Sequence, residues 1–230
     1  VSSAVKMMEI SGTNRGLGDI WLNVMLGFNY DSANGFSLNT GEDTAVSLDS
    51  IRKIYLSFNG SVTFPTGRSH MELGGEIQRD MQPGFGSPSF TFGVAAQKQI
   101  TKDFGLVAET SYQIFTENEG YKFGNEWRLN VAGVYELYGQ PGSFLQTIDG
   151  IVELNLLNLA RDKENGEKLR ASGGTVLYLS PGMRFSFPKI QNANLGFLVK
   201  LPVIKSLNEQ SQQQGSEGLE KYRAIVTLSV

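Results

Sequence analysis

The sequence predicts an all-β fold: an antiparallel up-and-down transmembrane β-barrel of about ten strands, with twelve as the next even count. Three observations predict it. A two-residue hydrophobic beat recurs along the chain, the alternation often lasts for about ten residues, and short connectors alternate with long ones. Successive side chains of a strand point to opposite faces, so the beat gives each strand one apolar and one polar side. A soluble sandwich or a lipocalin-like barrel alternates equally well. Soluble strands, however, run to roughly five or six residues, whereas a tilted strand that crosses a bilayer needs about nine to eleven.

Taken in order, residues 5–10 form a weak opening segment, and 18–30 is the first strong one. There Ile20, Leu22, Val24, Leu26, Phe28 and Tyr30 oppose Asp19, Asn23, Gly27 and Asn29, with Trp21 and Met25 as exceptions. Residues 53–65 set Ile54, Leu56, Phe58, Val62 and Phe64 against Tyr55, Ser57, Asn59, Ser61 and Thr63. Residues 89–99 set Phe90, Phe92, Val94 and Ala96 against Ser89, Thr91, Gly93 and Gln97. Over 104–115, Leu106, Ala108, Tyr112 and Ile114 oppose Gly105, Glu109, Ser111 and Gln113. Over 126–138, Trp127, Leu129, Val131, Tyr135 and Leu137 oppose Glu126, Arg128, Asn130 and Glu136.

The later segments follow the same rule. Residues 148–156 place Val152, Leu154 and Leu156 opposite Asp149, Glu153 and Asn155. Residues 177–187 place Leu177, Leu179, Met183, Phe185 and Phe187 opposite Tyr178, Ser180, Gly182, Arg184 and Ser186. Residues 195–201 place Leu195, Phe197, Val199 and Leu201 opposite Gly196 and Lys200. The last segment sets Tyr222, Ala224, Val226, Leu228 and Val230 against Arg223, Thr227 and Ser229.

Connectors 100–103 and 188–192 are short, while 116–125, 161–173 and 204–219 are longer and polar. Periplasmic turns and extracellular loops alternate in this way. Residues 66–88 fit as an extracellular loop, and Asn165-Gly166 is a turn signal within another. Residues 31–50 are the misfit, because parity makes this long connector periplasmic. The aromatics sort to the strand ends, Phe28, Tyr30, Phe104, Tyr135, Phe185 and Phe187 toward one rim and Phe64, Phe90, Tyr112, Trp127 and Tyr222 toward the other. Amphipathic rings favour the headgroup level, so a bilayer-spanning barrel carries two such girdles.

Composition agrees. At 40% hydrophobic residues, no stretch approaches the ~20 apolar residues of a membrane helix. A net charge of −3 gives no electrostatic case for nucleic acid, and the absence of cysteine excludes disulfides and thiolate chemistry. Residues 1–230 read as a single domain located in the outer membrane of a bacterium or an organelle, and an even strand count is what a bacterial outer membrane barrel requires. A chain opening at Val1 without a leader is expected of a mature or trimmed form.

The inward face carries the candidate site. Its acids are Asp19, Glu109, Glu126, Glu136, Asp149 and Glu153, and its bases are Arg128, Arg184, Lys200 and Arg223. A barrel of about eight strands is filled by side chains, and roughly 16–18 strands leave a channel. Ten strands lie near the filled end, so most pairs are expected to brace the interior. A polar constriction that selects small solutes is the functional alternative. The only histidine, His70, sits in a loop near Glu72 and Glu76 and reads as a polar surface residue rather than a base or a ligand. Gly16-x-Gly18 and Gly84-x-Gly86 lack the strand, helix and lysine of a phosphate loop and read as loop hinges.

Several motifs resemble a known family in their order and spacing. They are Gly16-Leu17-Gly18-Asp19-Ile20 opening a strand, Pro65-Thr66-Gly67 ending the next, then Gln82-Pro83-Gly84 with Gly86. Tyr178-Leu179-Ser180-Pro181-Gly182 and Leu201-Pro202-Val203 follow. From residue 16 to 230 the chain resembles the outer-membrane barrel family named for the MetA pathway of phenol degradation. The resemblance implies passage of small, often hydrophobic or aromatic, molecules. Barrels of that family end on an aromatic residue, so the final strand is expected to extend past Val230. The expected function is therefore a passive outer-membrane channel or transporter. The alternative is a structural or partner-binding barrel with a plugged lumen, motivated by residues 31–50. Neither reading involves catalysis, a cofactor or a metal. The expected partners are membrane lipids, a small-molecule solute, and a periplasmic or outer-membrane protein.

Overall fold

A computed structural model of the protein describes residues 16–39, 51–73, 76–77, 82–209 and 220–229, with the backbone alone for 72–73 and 76–77. Its strands are β1 (Ile20–Asp31), β2 (Gly35–Leu38), β3 (Lys53–Phe64), β4 (Glu72–Leu73), β5 (Glu76–Ile77), β6 (Ser89–Gln99), β7 (Phe104–Phe115) and β8 (Tyr121–Lys122). They continue with β9 (Glu126–Gly139), β10 (Thr147–Leu159), β11 (Lys163–Glu164), β12 (Glu167–Lys168), β13 (Gly174–Phe187), β14 (Ala193–Leu207) and β15 (Arg223–Ser229). Ten of them form one sheet in the order β15-β14-β13-β10-β9-β7-β6-β3-β1-β2. Every neighbouring pair in it is antiparallel.

The register carries the alternation across the whole sheet. One row reads Leu26, Phe58, Val94, Thr110, Leu129, Leu156, Leu177 and Ile204. The row beside it, on the other face, reads Gly27, Ser57, Ala95, Glu109, Asn130, Asn155, Tyr178 and Pro202. Burial is inverted relative to a soluble protein. Leu22, Phe92, Val152, Phe197 and Leu228 on the apolar face are exposed at 62, 60, 54, 46 and 72%, whereas Asp149 and Ser180 on the polar face are exposed at 6 and 0%.

Apart from residues 39–52 between β2 and β3, the strands connect by short turns at one end and long loops at the other. The loops at the long end are themselves structured: β8, β11 and β12 form a three-stranded sheet, and β4 pairs with β5. Asn165 (φ 50) and Gly166 (φ 85) turn β11 into β12 in the left-handed region. That conformation suits asparagine and glycine and makes a two-residue hairpin. Beneath these loops Phe85, Phe115, Phe123 and Tyr121 stack with centroids 5.0 to 5.7 Å apart.

Two expectations need correction, and one lies outside the described residues. The sheet has ten strands, but the tenth is β2, which lies within the segment read as a long connector. Residues 31–35 turn tightly, and β2 returns onto Phe28–Asp31 of β1. The expected segment 5–10 and residues 40–50 lie outside the described residues. Finally, β14 runs on to Leu207 instead of giving way to a loop at 204. A bulge between Leu177 and Tyr178 turns both Val203 and Ile204, 51 and 56% exposed, to the apolar side. The two-residue beat breaks there although the strand does not. The adjacent Leu156 and Leu157 hid the end of β10 in a similar way, because Leu157 packs on Val176, Tyr178 and Leu207.

A charged sheet face as the candidate functional site

The polar face is uneven. From β1 to β6, beyond Asp31 and Lys53 paired in register at the short-turn end, it presents the uncharged Asn23, Tyr55, Ser57, Asn59, Ser61, Thr63 and Thr91. From β7 onward the ionised side chains appear. Near the short-turn end, Arg184 clamps Asp149, with Nη2 at 2.7 Å and Nε at 2.9 Å from the same carboxylate oxygen. Asp149 is buried while Arg184 is half-exposed. Register places Glu136 opposite Asp149 at a bulge between Ile148 and Asp149. The Glu136 carboxylate lies over Gly139, where a Cβ would come within 2.2 Å of Oε1.

Midway along the strands the polar face is bridged by neutral groups. Ser180 Oγ donates to Asn155 Oδ1 at 2.8 Å, and Asn155 Nδ2 donates to Asn130 Oδ1 at 3.2 Å. The same amide lies 3.4 Å from Glu153. Glu109 occupies the same row, opposite Asn130.

Toward the long-loop end, Arg128 pairs with Glu126, and Arg223 pairs with Glu220 at 2.7 Å. Glu220 also accepts from the Tyr178 hydroxyl at 3.1 Å. Lys200 Nζ lies 4.1 Å above the Tyr178 ring, a cation–π contact. A cavity of about 380 Å³ opens among Arg128, Asn155, Glu153, Tyr178, Lys200 and Arg223, with apolar surface from Leu157, Leu198 and Ile225.

Most of the expected residues therefore meet on one wall. Asp19 stands apart. It precedes β1, and its carboxylate accepts from the amides of Gly67 and Phe85, both at 2.8 Å, tying two loops to the start of the strand. The Gly16–Gly18 and Gly84–Gly86 motifs meet around it, and a Cβ at Gly67 would lie 2.9 Å from Asp19 Oδ1. His70 also joins loops, with Nδ1 at 3.0 Å from Ser69 Oγ and Nε2 at 2.8 Å from Glu119. The side chains of Glu72 and Glu76 lie outside the described ones.

Sequence reasoning missed Glu220 and the joint role of Asn130, Asn155 and Ser180. Glu220 lies outside any alternating segment, and its only signal is the i,i+3 spacing to Arg223. The amide network depends on cross-strand register, which alternation alone does not supply.

Comparison with curated proteins found no match, and neither did comparison with solved structures. The sequence profile of the family described as "Putative MetA-pathway of phenol degradation" matches residues 2–203. The chain belongs to that family.

Proposed function

We propose that the sheet closes into an outer-membrane β-barrel that passes small molecules through its polar interior. The observation that carries this reading is the inverted burial: large apolar side chains cover the exposed face, and polar side chains are enclosed on the other. Such a surface is costly in water and stable in lipid, where closed barrels and helices are the structures that span. The exposed Phe64, Phe90, Tyr112 and Trp127 at the long-loop ends of their strands support an interfacial girdle. Closure asks for one more strand. β1 and β15 both run from the long-loop end to the short-turn end, so an antiparallel wall needs a partner of opposite direction between them. β2 has that direction along Phe28–Asp31.

Reconstitution tests the reading. Folding into detergent is first checked by heat-modifiable gel mobility, and planar-bilayer recordings then follow. Discrete conductance steps and flux of small solutes are expected. A folded barrel silent to both would remove the transport reading.

A second reading, a structural barrel with a filled interior, has its own support. The Arg184–Asp149, Arg128–Glu126 and Arg223–Glu220 pairs lie on the face that would line the lumen, and the aromatic stack lies among the long loops. The same recordings separate the two readings.

A further inference from the structure

We propose that the cavity beside Lys200 is a binding subsite for a small carboxylate with an aliphatic body. The inference rests on the channel reading for access to the site, but its chemistry is local. Three cations, Arg128, Lys200 and Arg223, line the cavity against one carboxylate, Glu153. The counter-ions of the two arginines, Glu126 and Glu220, do not line it. Lys200 makes no ion pair among the described residues. Its ammonium rests on the face of Tyr178, which fixes its position without neutralising it. Arg128 and Arg223 are held by Glu126 and Glu220, so Lys200 is the lining cation with unspent N–H donors, and a carboxylate is the group that uses them.

The rest of the lining fixes the body of the ligand. Leu157, Leu198 and Ile225 add aliphatic surface to the same cavity, with Leu157 opposite Arg128 in register and Leu198 opposite Ile225 one same-face step along the strands from Lys200 and Arg223. Apolar surface beside the Lys200 ammonium favours an acid with an aliphatic body, whereas inorganic anions gain nothing from it. The volume of about 380 Å³ suits a short acid and excludes a full lipid. Glu153 disfavours dianions, because a second negative charge would face it.

Hexanoate and its neutral isostere hexanamide are the probes. Calorimetric titration of the folded barrel in detergent should show hexanoate binding and hexanamide binding at least about tenfold more weakly, the scale of one charge-assisted hydrogen bond. Lys200→Gln should abolish that preference without changing gel mobility, and Lys200→Arg should restore it. Equal binding of the two probes, or a preference unchanged in Lys200→Gln, would overturn the proposal. Should Lys200→Gln fail to fold, Lys200→Met removes the same ammonium and gives the same comparison. Conductance is read separately, so hexanoate selectivity in a silent barrel defeats the channel reading alone. A conducting barrel indifferent to the carboxylate defeats the subsite alone.

Discussion

At the residue scale, the clearest energetic liability is Asp149. Its carboxylate is buried and satisfied by one half-exposed guanidinium. Removing the partner of a buried charge costs about 3–5 kcal/mol when both groups are enclosed. Solvent around Arg184 reduces this, and Arg184→Met is expected to cost about 2 kcal/mol. Urea unfolding followed by gel mobility measures it. The double variant Asp149→Asn/Arg184→Met should recover part of the loss, because the stranded charge is gone. An equal or larger loss in the double variant would show that the pair acts by packing.

At the element scale, Asp19 is a tether. Asp19→Ala removes the acceptor for two loop amides, each worth about 1 kcal/mol or more when its donor is left unsatisfied. Faster proteolysis within residues 66–88 is expected, with gel mobility unchanged. An unaltered cleavage rate would place the loop's order elsewhere. Elements were also where the sequence spoke most clearly. Segments 89–99 and 104–115 coincide with β6 and β7, since neither has a bulge or adjacent leucines to blur its beat. β10, β13 and β14 run longer than their alternation. Their ends carry Leu157, Val176 and Leu207, apolar residues on the polar side that make a small core of their own. β2 escaped notice because a four-residue strand holds too little alternation to register. At the site, parity gathered Arg128, Glu153, Lys200 and Arg223 on one face, but only register and side-chain placement identified which charges are neutralised.

At the scale of the whole molecule, the two faces predict opposite responses to the same substitution. Val152→Arg places a charge on the apolar face near mid-strand and should cost about 2–4 kcal/mol of folding in liposomes. Ser111→Arg, on the polar face, should fold with a yield close to the parent. A soluble protein would reverse this order, since Val152 is already 54% exposed and an arginine there would meet water. Folding yield into vesicles, read on unheated gels, decides between them.

The side-chain bridges that cross from β9 through β10 to β13 also carry a mechanical meaning. Asn130, Asn155 and Ser180, and further along Asn158 with Thr175 and Arg184 with Asp149, add rungs beside the backbone ladder. Sliding one of these strands past its neighbour would break both sets of rungs at once. That portion of the wall is braced against shear. In a membrane barrel closed as proposed, the strain of matching a varying bilayer thickness would be taken up along strands that lack such bracing.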